Sequence, residues 1–201
     1  MSEAKQVIEA KKRENVLAAA RQVFLRYGYK RTTMGDIAAE AHISRPALYV
    51  QFPSKEDVFG AVMEQLFGEV LATIRSGIAK RTSVHDKLVF AFDVWAIQPF
   101  KSVQASPDAK DVLESSYAFA HAITSTAAAD FERILVSILE PLTAQASLTV
   151  SPDCIAHILA AAVPGFKESA SSVKQLQQMI DGLVTIVLAG LQKMGLKAPG
   201  L

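Results

Sequence analysis

The sequence predicts an all-α protein with a small N-terminal domain at residues 1–54 and a larger helical domain at residues 55–201. Three observations support this fold class. Apolar residues recur at steps of three and four along most segments, which is the period of a helix that buries one face. The two-residue alternation of a half-buried strand is not seen. Residues that start or stop helices separate the apolar segments.

The first predicted helix ends near Tyr27. Gly28 follows it, and glycine is a common residue at the point where a helix stops. The apolar side chains upstream have the spacing of one buried stripe, namely Val16, Leu17, Ala20, Val23, Phe24 and Tyr27. We therefore expect this helix to pack against the rest of the small domain.

Two short helices joined by a tight corner are predicted next. Thr33 and Asp36 have the spacing of a capping box, and they start a helix that ends near His42. Ser44 is the natural N-cap of the helix after it. Pro46 fixes where that helix starts, because proline costs about 3 kcal/mol in a helix interior but is tolerated in the first turn.

Longer helices make up the rest of the chain. Ser54, with Glu56 and Asp57 in the following turn, starts a fourth helix whose apolar positions continue to Ile78. Pro141 and the pair Pro164-Gly165 lie inside later helical segments, so each marks either a kink or a helix end. These later helices are predicted at about 84–98, 107–115, 117–147, 153–169 and 172–194.

The charge is distributed unevenly along the chain. Residues 1–60 carry ten Lys and Arg against seven Asp and Glu, and residues 61–201 carry eleven against thirteen. The basic end suits a polyanionic partner.

The lone Cys154 excludes an internal disulfide and favours a reducing compartment. It is expected to be a small buried residue. Because no signal peptide or membrane-spanning run is present, we expect a soluble, cytoplasmic protein without membrane contact.

The two short helices have the arrangement of a helix-turn-helix, in which the second helix enters the DNA major groove. With Leu48 directed inward, five side chains remain for double-stranded DNA, namely Arg45, Pro46, Ala47, Tyr49 and Gln51. Arginine can pair with guanine, proline and alanine can contact a thymine methyl, and the tyrosine phenol can reach a base edge or a phosphate. Thr32, Thr33 and Lys55 lie where phosphate oxygens are bound. The alternative is a three-helix packing unit without DNA.

The same residues carry a family resemblance. The run T-T-x-x-D-I-A-x-x-A-H-I-S-R-P-A-L-Y-x-Q-F-x-S-K-E-x-V, from Thr32 to Val58, resembles the DNA-binding signature of the TetR family of bacterial transcription factors. The resemblance implies a homodimer that reads an inverted-repeat operator, with a C-terminal effector domain, and a repressor that a small apolar or aromatic ligand releases. Two positions depart from the family pattern: His42 replaces the usual corner glycine, and Gln51 replaces a common histidine.

No catalytic or metal-binding pattern is found in the sequence. The four histidines are widely separated, and neither a metal-ligand spacing nor a glycine-rich phosphate loop is present. We therefore predict no catalytic residue, metal or cofactor. Two other classes remain open: an enzyme of a helical class, and a DNA-binding architectural protein or activator that takes no ligand.

The larger domain carries two further hypotheses. Phe92 and Trp95 share a predicted helix face, and with Tyr117 and His121 as polar members they are candidates for the effector site, although such a stripe is also typical of ordinary core. Residues 153–194 carry broad apolar stripes with small residues such as Gly182 beside them. The resemblance implies a four-helix dimer interface there, and the alternative is that both helices pack only within one subunit.

Overall fold

The computed structural model describes residues 3–105, 118–143 and 150–193. Within these ranges the chain forms helices and no strand, which confirms the all-α prediction. None of the helices in this part of the chain has the length and apolar character needed to cross a bilayer. In chain order the helices are α1 Glu3–Arg31, α2 Met34–Glu40, α3 Arg45–Gln51, α4 Lys55–Ile78, α5 Val84–Phe92, the π-helix π1 Asp93–Ile97, α6 Gln98–Ala105, α7 Ala118–Thr143, α8 Pro152–Ser169 and α9 Val173–Lys193.

The packing divides the chain into two compact units. The first comprises Met1–Phe67 with Val103–Thr124, and the second comprises Gly68–Ser102 with Ser125–Leu201. The division falls inside α4. The physical reason is that the first turns of α4 belong to the N-terminal core: the Phe59 ring packs edge-on against Phe24 and Tyr29 of α1, at centroid distances of 5.3 and 4.7 Å.

Helix α1 is kinked at Gly28, close to its predicted end. Gly28 has φ 76° and ψ 163°, a backbone region that is essentially restricted to glycine. One helical turn resumes after the kink and ends at Arg31. The buried Thr32 hydroxyl donates a hydrogen bond of 2.7 Å to the Gly28 carbonyl. The prediction of a break here is confirmed, and the side chain of Thr32 holds the chain across it.

The capping signals of α2 and α3 are both confirmed. The Thr33 hydroxyl accepts from the Asp36 amide at 3.2 Å, and the Thr33 amide donates to the Asp36 carboxylate at 2.8 Å. These hydrogen bonds, first from the hydroxyl and then from the amide of Thr33, lower the pKa of Asp36. The Ser44 hydroxyl accepts from the Ala47 amide at 3.3 Å. Both helices therefore begin where the sequence predicts.

The corner between α2 and α3 is a Schellman motif built on a histidine. His42 has φ 55°, in the left-handed region, and its amide donates to the carbonyl of Ala39. The Ile43 amide donates to the carbonyl of Ala38, which completes the motif. Glycine is the usual residue here, because a Cβ in this conformation approaches the following carbonyl and costs about 1–2 kcal/mol.

We predict that His42→Gly stabilises the protein. The variant removes the left-handed strain, but glycine also raises the chain entropy of the unfolded state, so the net gain in the free energy of unfolding should be about 0.5–1 kcal/mol. At about 2–4 °C per kcal/mol for a chain of this size, the Tm should rise by about 1–4 °C. Thermal unfolding measures it. Ala39→Gly, on the exposed face of the preceding helix, is the control and should lose about 1 kcal/mol. A lower Tm for His42→Gly would show that the imidazole makes compensating contacts.

The second unit has its own apolar core. It is centred on fully buried residues of α5, α7, α8 and α9, namely Leu88, Phe92, Phe131, Leu135, Leu159, Leu176 and Val184. Pro141 lies in the last turn of α7 and Pro164 inside α8, so neither proline ends its helix. The predicted helix at 84–98 instead contains π1 and continues as α6 to Ala105. The predicted helix at 107–115 lies outside the described residues.

Candidate nucleic-acid interface

Helix α3 presents one buried residue and a largely exposed outer face. Leu48 is 0% exposed and packs in the core of the first unit. Arg45, Pro46 and Ala47 are exposed, and Tyr49 is 51% exposed. Ser44 fixes where the helix begins, and Leu48 fixes how it is rotated about its axis. Four of the five side chains that the sequence predicted for the groove thus lie on the open side of one short helix.

Arg45 lies against the start of α2. A Cβ at Gly35 would overlap the Arg45 guanidinium, so the absence of a side chain at that position leaves room for it. The positive charge of Arg45 also lowers the pKa of Asp36, although less than the hydrogen bonds from Thr33 do. Arg45 as a whole is an exposed residue.

The two predicted threonines differ in exposure. The side chain of Thr32 is 2% exposed, and its hydroxyl is bonded to the carbonyl of Gly28. Thr33 is exposed, but its hydroxyl donates to the Asp36 carboxylate at 2.7 Å. Both hydroxyls therefore have a structural hydrogen bond, and of the two side chains only that of Thr33 lies at the surface.

Lys55 stabilises the junction between α1 and α2. Its ammonium donates at 2.9 Å to the carbonyls of Tyr29 and Thr32, and at 3.5 Å to that of Lys30. It also lies 4.3 Å from the centroid of the Tyr29 ring. The carbonyls at a helix C-terminus carry partial negative charge, so a cation there is stabilising. Lys55 thus has a structural role that its predicted phosphate contact did not include.

Gln51 lies on the inner flank of α3. Its Oε1 is buried and has no hydrogen-bond partner among the described residues. The residue lines a cleft of about 410 Å³ together with Arg13 and Phe52. The Arg13 guanidinium lies over the Phe52 ring, 4.4 Å from its centroid. The predicted phosphate contact of Gln51 stays a prediction, and the structure places part of its amide group away from solvent.

The predicted effector residues are divided between the two units. Phe92 is 1% exposed and meets Phe131 edge-on at 5.3 Å, and Trp95 stacks on the same ring at 4.5 Å with an interplanar angle of 6°. His121 is exposed and belongs to the first unit. Tyr117 lies outside the described residues. The structure therefore brings together Phe92 and Trp95, with Phe131 between them.

Two positions differ from what the sequence indicated. Cys154 is exposed, so the expectation of a buried thiol was wrong. It lies in the first turn of α8, whose inward positions are taken by Ile155, Ala156 and Leu159. Val50, which was not among the residues predicted to contact DNA, is 86% exposed on α3. A count of helical positions from Leu48 could have identified Val50.

Comparison with known sequences gives local matches in the N-terminal region. Residues 16–62 match the model of the bacterial regulatory proteins of the tetR family. The transcriptional activator FasR of Mycolicibacterium smegmatis is 30% identical over 84 residues, which span 42% of this chain and 38% of FasR. The transcriptional repressor BepR of Brucella suis is 41% identical over 54 residues, or 27% of this chain and 26% of BepR. The matches thus span well under half of these relatives.

Comparison of folds extends over most of the chain. The regulator FadR of Bacillus subtilis, solved with stearoyl-CoA, superposes with a TM-score of 0.64 at 15% identity, covering 88% of this chain and 98% of that one. At that identity the likeness establishes the fold. The family match covers α2, α3 and the parts of α1 and α4 that pack on them. Residues 16–62 thus match the N-terminal region of the tetR family of bacterial regulatory proteins, a family of transcriptional regulators.

Proposed function

We propose that this protein is a ligand-responsive repressor that binds an inverted-repeat operator as a homodimer and leaves it when a small apolar or aromatic molecule binds. The DNA-binding part of this proposal is supported by the geometry of α3. This capped helix follows a tight corner and has one buried residue and an exposed outer face. Such a helix presents its outer side chains to base edges in the major groove.

The proposed contacts fall into two groups. Arg45, Pro46, Ala47 and Tyr49 face the bases or the adjacent backbone. Thr33 and Lys55 lie at the starts of α2 and α4 and serve the phosphates, with Thr32 contributing through its backbone and Gln51 through its amide group. Base contacts determine which sequence is bound, whereas phosphate contacts set affinity and its dependence on salt.

Arg45→Ala tests the base-reading role. We expect it to weaken binding to the selected operator by about 1–3 kcal/mol and to relax the preference at one base position per half-site. Fluorescence anisotropy with operator and random duplexes measures both effects. Arg133→Ala, which removes an exposed charge from α7, is the matched control and should bind as the native protein does. An equal loss on operator and random DNA would refute base reading by Arg45.

The proposed dimer uses the outer faces of α8 and α9. Ile158 is 51% exposed and Ile186 is 73% exposed, although both are large apolar side chains. Small residues accompany them on these faces, and a Cβ added at Gly165, Gly182 or Gly190 would meet no atom within 4 Å. Such a surface allows two helix pairs to approach closely. Burial against a second copy would remove the exposed Ile158 and Ile186 side chains from water.

The proposed effector site lies beside Trp95. Phe92, Trp95 and Phe131 form an aromatic group in the second unit. The protein has a single tryptophan, so its fluorescence reports this place alone. Ligands that release the operator should change the emission saturably over the concentrations that cause release. Stearoyl-CoA is a suitable first probe because FadR was solved with it.

The fluorescence experiment has a defined control. Trp95→Phe keeps an aromatic ring against Phe131, so operator binding should persist while the emission is lost. An inducer that leaves the native emission unchanged, and that Trp95→Phe binds with native affinity, would place the effector site elsewhere.

The direction of regulation has one alternative. FasR is named an activator and BepR a repressor, and both resemble this chain in its N-terminal region. An activator should raise transcription from a promoter that carries the selected site, and a ligand-independent architectural protein should leave it unchanged. Transcription in vitro with purified polymerase distinguishes these outcomes from repression.

A further inference from the structure

Val50 lies at the centre of the outer face of α3. Residues of an α-helix advance by about 100° each, so the positions most nearly opposite Leu48 are Pro46 and Val50. These two residues are four apart and therefore adjacent on the helix surface. Leu48 is 0% exposed and Val50 is 86% exposed, which agrees with that geometry. Pro46 and Val50 thus form an apolar ridge along the outermost line of the helix.

Apart from Ala47, which is exposed and apolar, the neighbours of the ridge differ from it in chemistry. Arg45 and Tyr49 lie on one side and carry hydrogen-bonding groups, and both are exposed. Gln51 lies on the inner flank, where its Oε1 is buried. The reading face therefore ends at Val50 and not at Gln51, and its central line offers no donor or acceptor.

An apolar ridge can recognise one feature of the major groove. Base edges there present donors and acceptors, with the C5-methyl group of thymine as the apolar exception. The isopropyl group of Val50 would lose most of its water-exposed surface against such a methyl, which is favourable in proportion to the area buried. A guanine or cytosine at the same place would set polar edge groups against an apolar side chain, which leaves those groups without partners.

We propose that Val50, supported by Pro46, reads the C5-methyl group of a thymine and so determines an A·T base pair in each half-site. This inference rests on the proposed function, since it requires α3 to enter the major groove. It adds a specificity-determining residue and names the chemical group that the residue recognises.

A double-mutant cycle between protein and DNA tests the proposal. Deoxyuridine replaces each thymine of the selected half-site in turn, which removes only the methyl group. For the native protein, one replacement should weaken binding about fourfold, as expected for one buried methyl. Val50→Ala should weaken binding to the unmodified operator by a similar or larger factor. For this variant the same replacement should cause less than about a twofold further loss, because the contact is already gone.

The outcomes separate this inference from the function on which it rests. Native protein that binds no DNA sequence in preference to random duplex would overturn the proposed function and this inference with it. Sequence-specific binding by the native protein with independent effects of Val50→Ala and every deoxyuridine would overturn the role of Val50 alone. Gln51→Ala is the control and should show no coupling to any thymine methyl. The high exposure of Val50 means that Val50→Ala should fold normally, which thermal unfolding verifies.

Discussion

Replacing Gly182 by glutamate is expected to convert the proposed dimer into a monomer and to reduce operator affinity about 100-fold or more, because the second half-site no longer adds to binding. Gly182 lies in α9 on the side opposite the buried residues Ile180, Val184 and Leu188. In a two-fold interface a residue near the axis meets its own copy, so two carboxylates would be brought together in an apolar seam. Desolvating charges without partners is costly.

The subunit itself should tolerate this substitution. A Cβ added at Gly182 meets no atom within 4 Å, so the glutamate has room within its own chain. Gln177→Glu adds the same charge to an exposed position of α9 near Asp181 and should remain dimeric. Sedimentation velocity and anisotropy with operator DNA measure the two effects. A dimer that survives Gly182→Glu would place the interface on another surface.

Lys55→Ala is expected to lower both the stability of the first unit and its affinity for all DNA sequences. Hydrogen bonds to a charged group contribute about 1.5–3 kcal/mol, and the Lys55 ammonium donates to the carbonyls of Tyr29 and Thr32. Because Lys55 is half-buried and water can replace part of the two bonds, we expect a loss of about 2–4 kcal/mol in the free energy of unfolding. The last turn of α1 and the start of α2, which precede the DNA-reading helix, would lose their common anchor.

The two roles of Lys55 can be measured separately. Loss of a phosphate contact should reduce the slope of log affinity against log salt by about one, on operator and random DNA alike. Lys55→Met, which keeps the side-chain stem over the Tyr29 ring, should share the loss of stability from the missing donors. Lowered stability with an unchanged salt slope would restrict Lys55 to the fold. An unchanged stability would contradict the capping role.

Local signals in the sequence predicted the reading helix well. Thr33 with Asp36, Ser44 and Pro46 act within a few residues of one another, so their spacing alone indicates where α2 and α3 begin. The corner at His42 was indicated by the family resemblance, because glycine is the usual residue at that position and glycine commonly adopts a left-handed conformation. For these elements the structure confirms positions that depend on backbone hydrogen bonds close in sequence.

Contacts between distant residues could not be predicted in this way. Lys55 binds carbonyls that lie more than twenty residues earlier in the chain, so no spacing rule indicates the interaction. The buried Oε1 of Gln51 likewise depends on packing around α3. In the second unit, the π-helix Asp93–Ile97 interrupts the α-helical period on which the shared face of Phe92 and Trp95 was predicted. Periodicity indicates a buried face only while the helix keeps its geometry.

The length of α3 limits how much information one subunit can read. Its seven residues extend about 10 Å, which corresponds to about three base pairs of duplex DNA. Three fully specified base pairs carry about 6 bits, whereas choosing one site among at least about a million competitors requires about 20 bits. Two copies of α3 would supply about 12 bits from direct contacts. The remaining information has to come from the fixed spacing of the two copies and from sequence-dependent DNA shape. The distance between the half-sites is therefore itself a feature of the operator that the protein recognises.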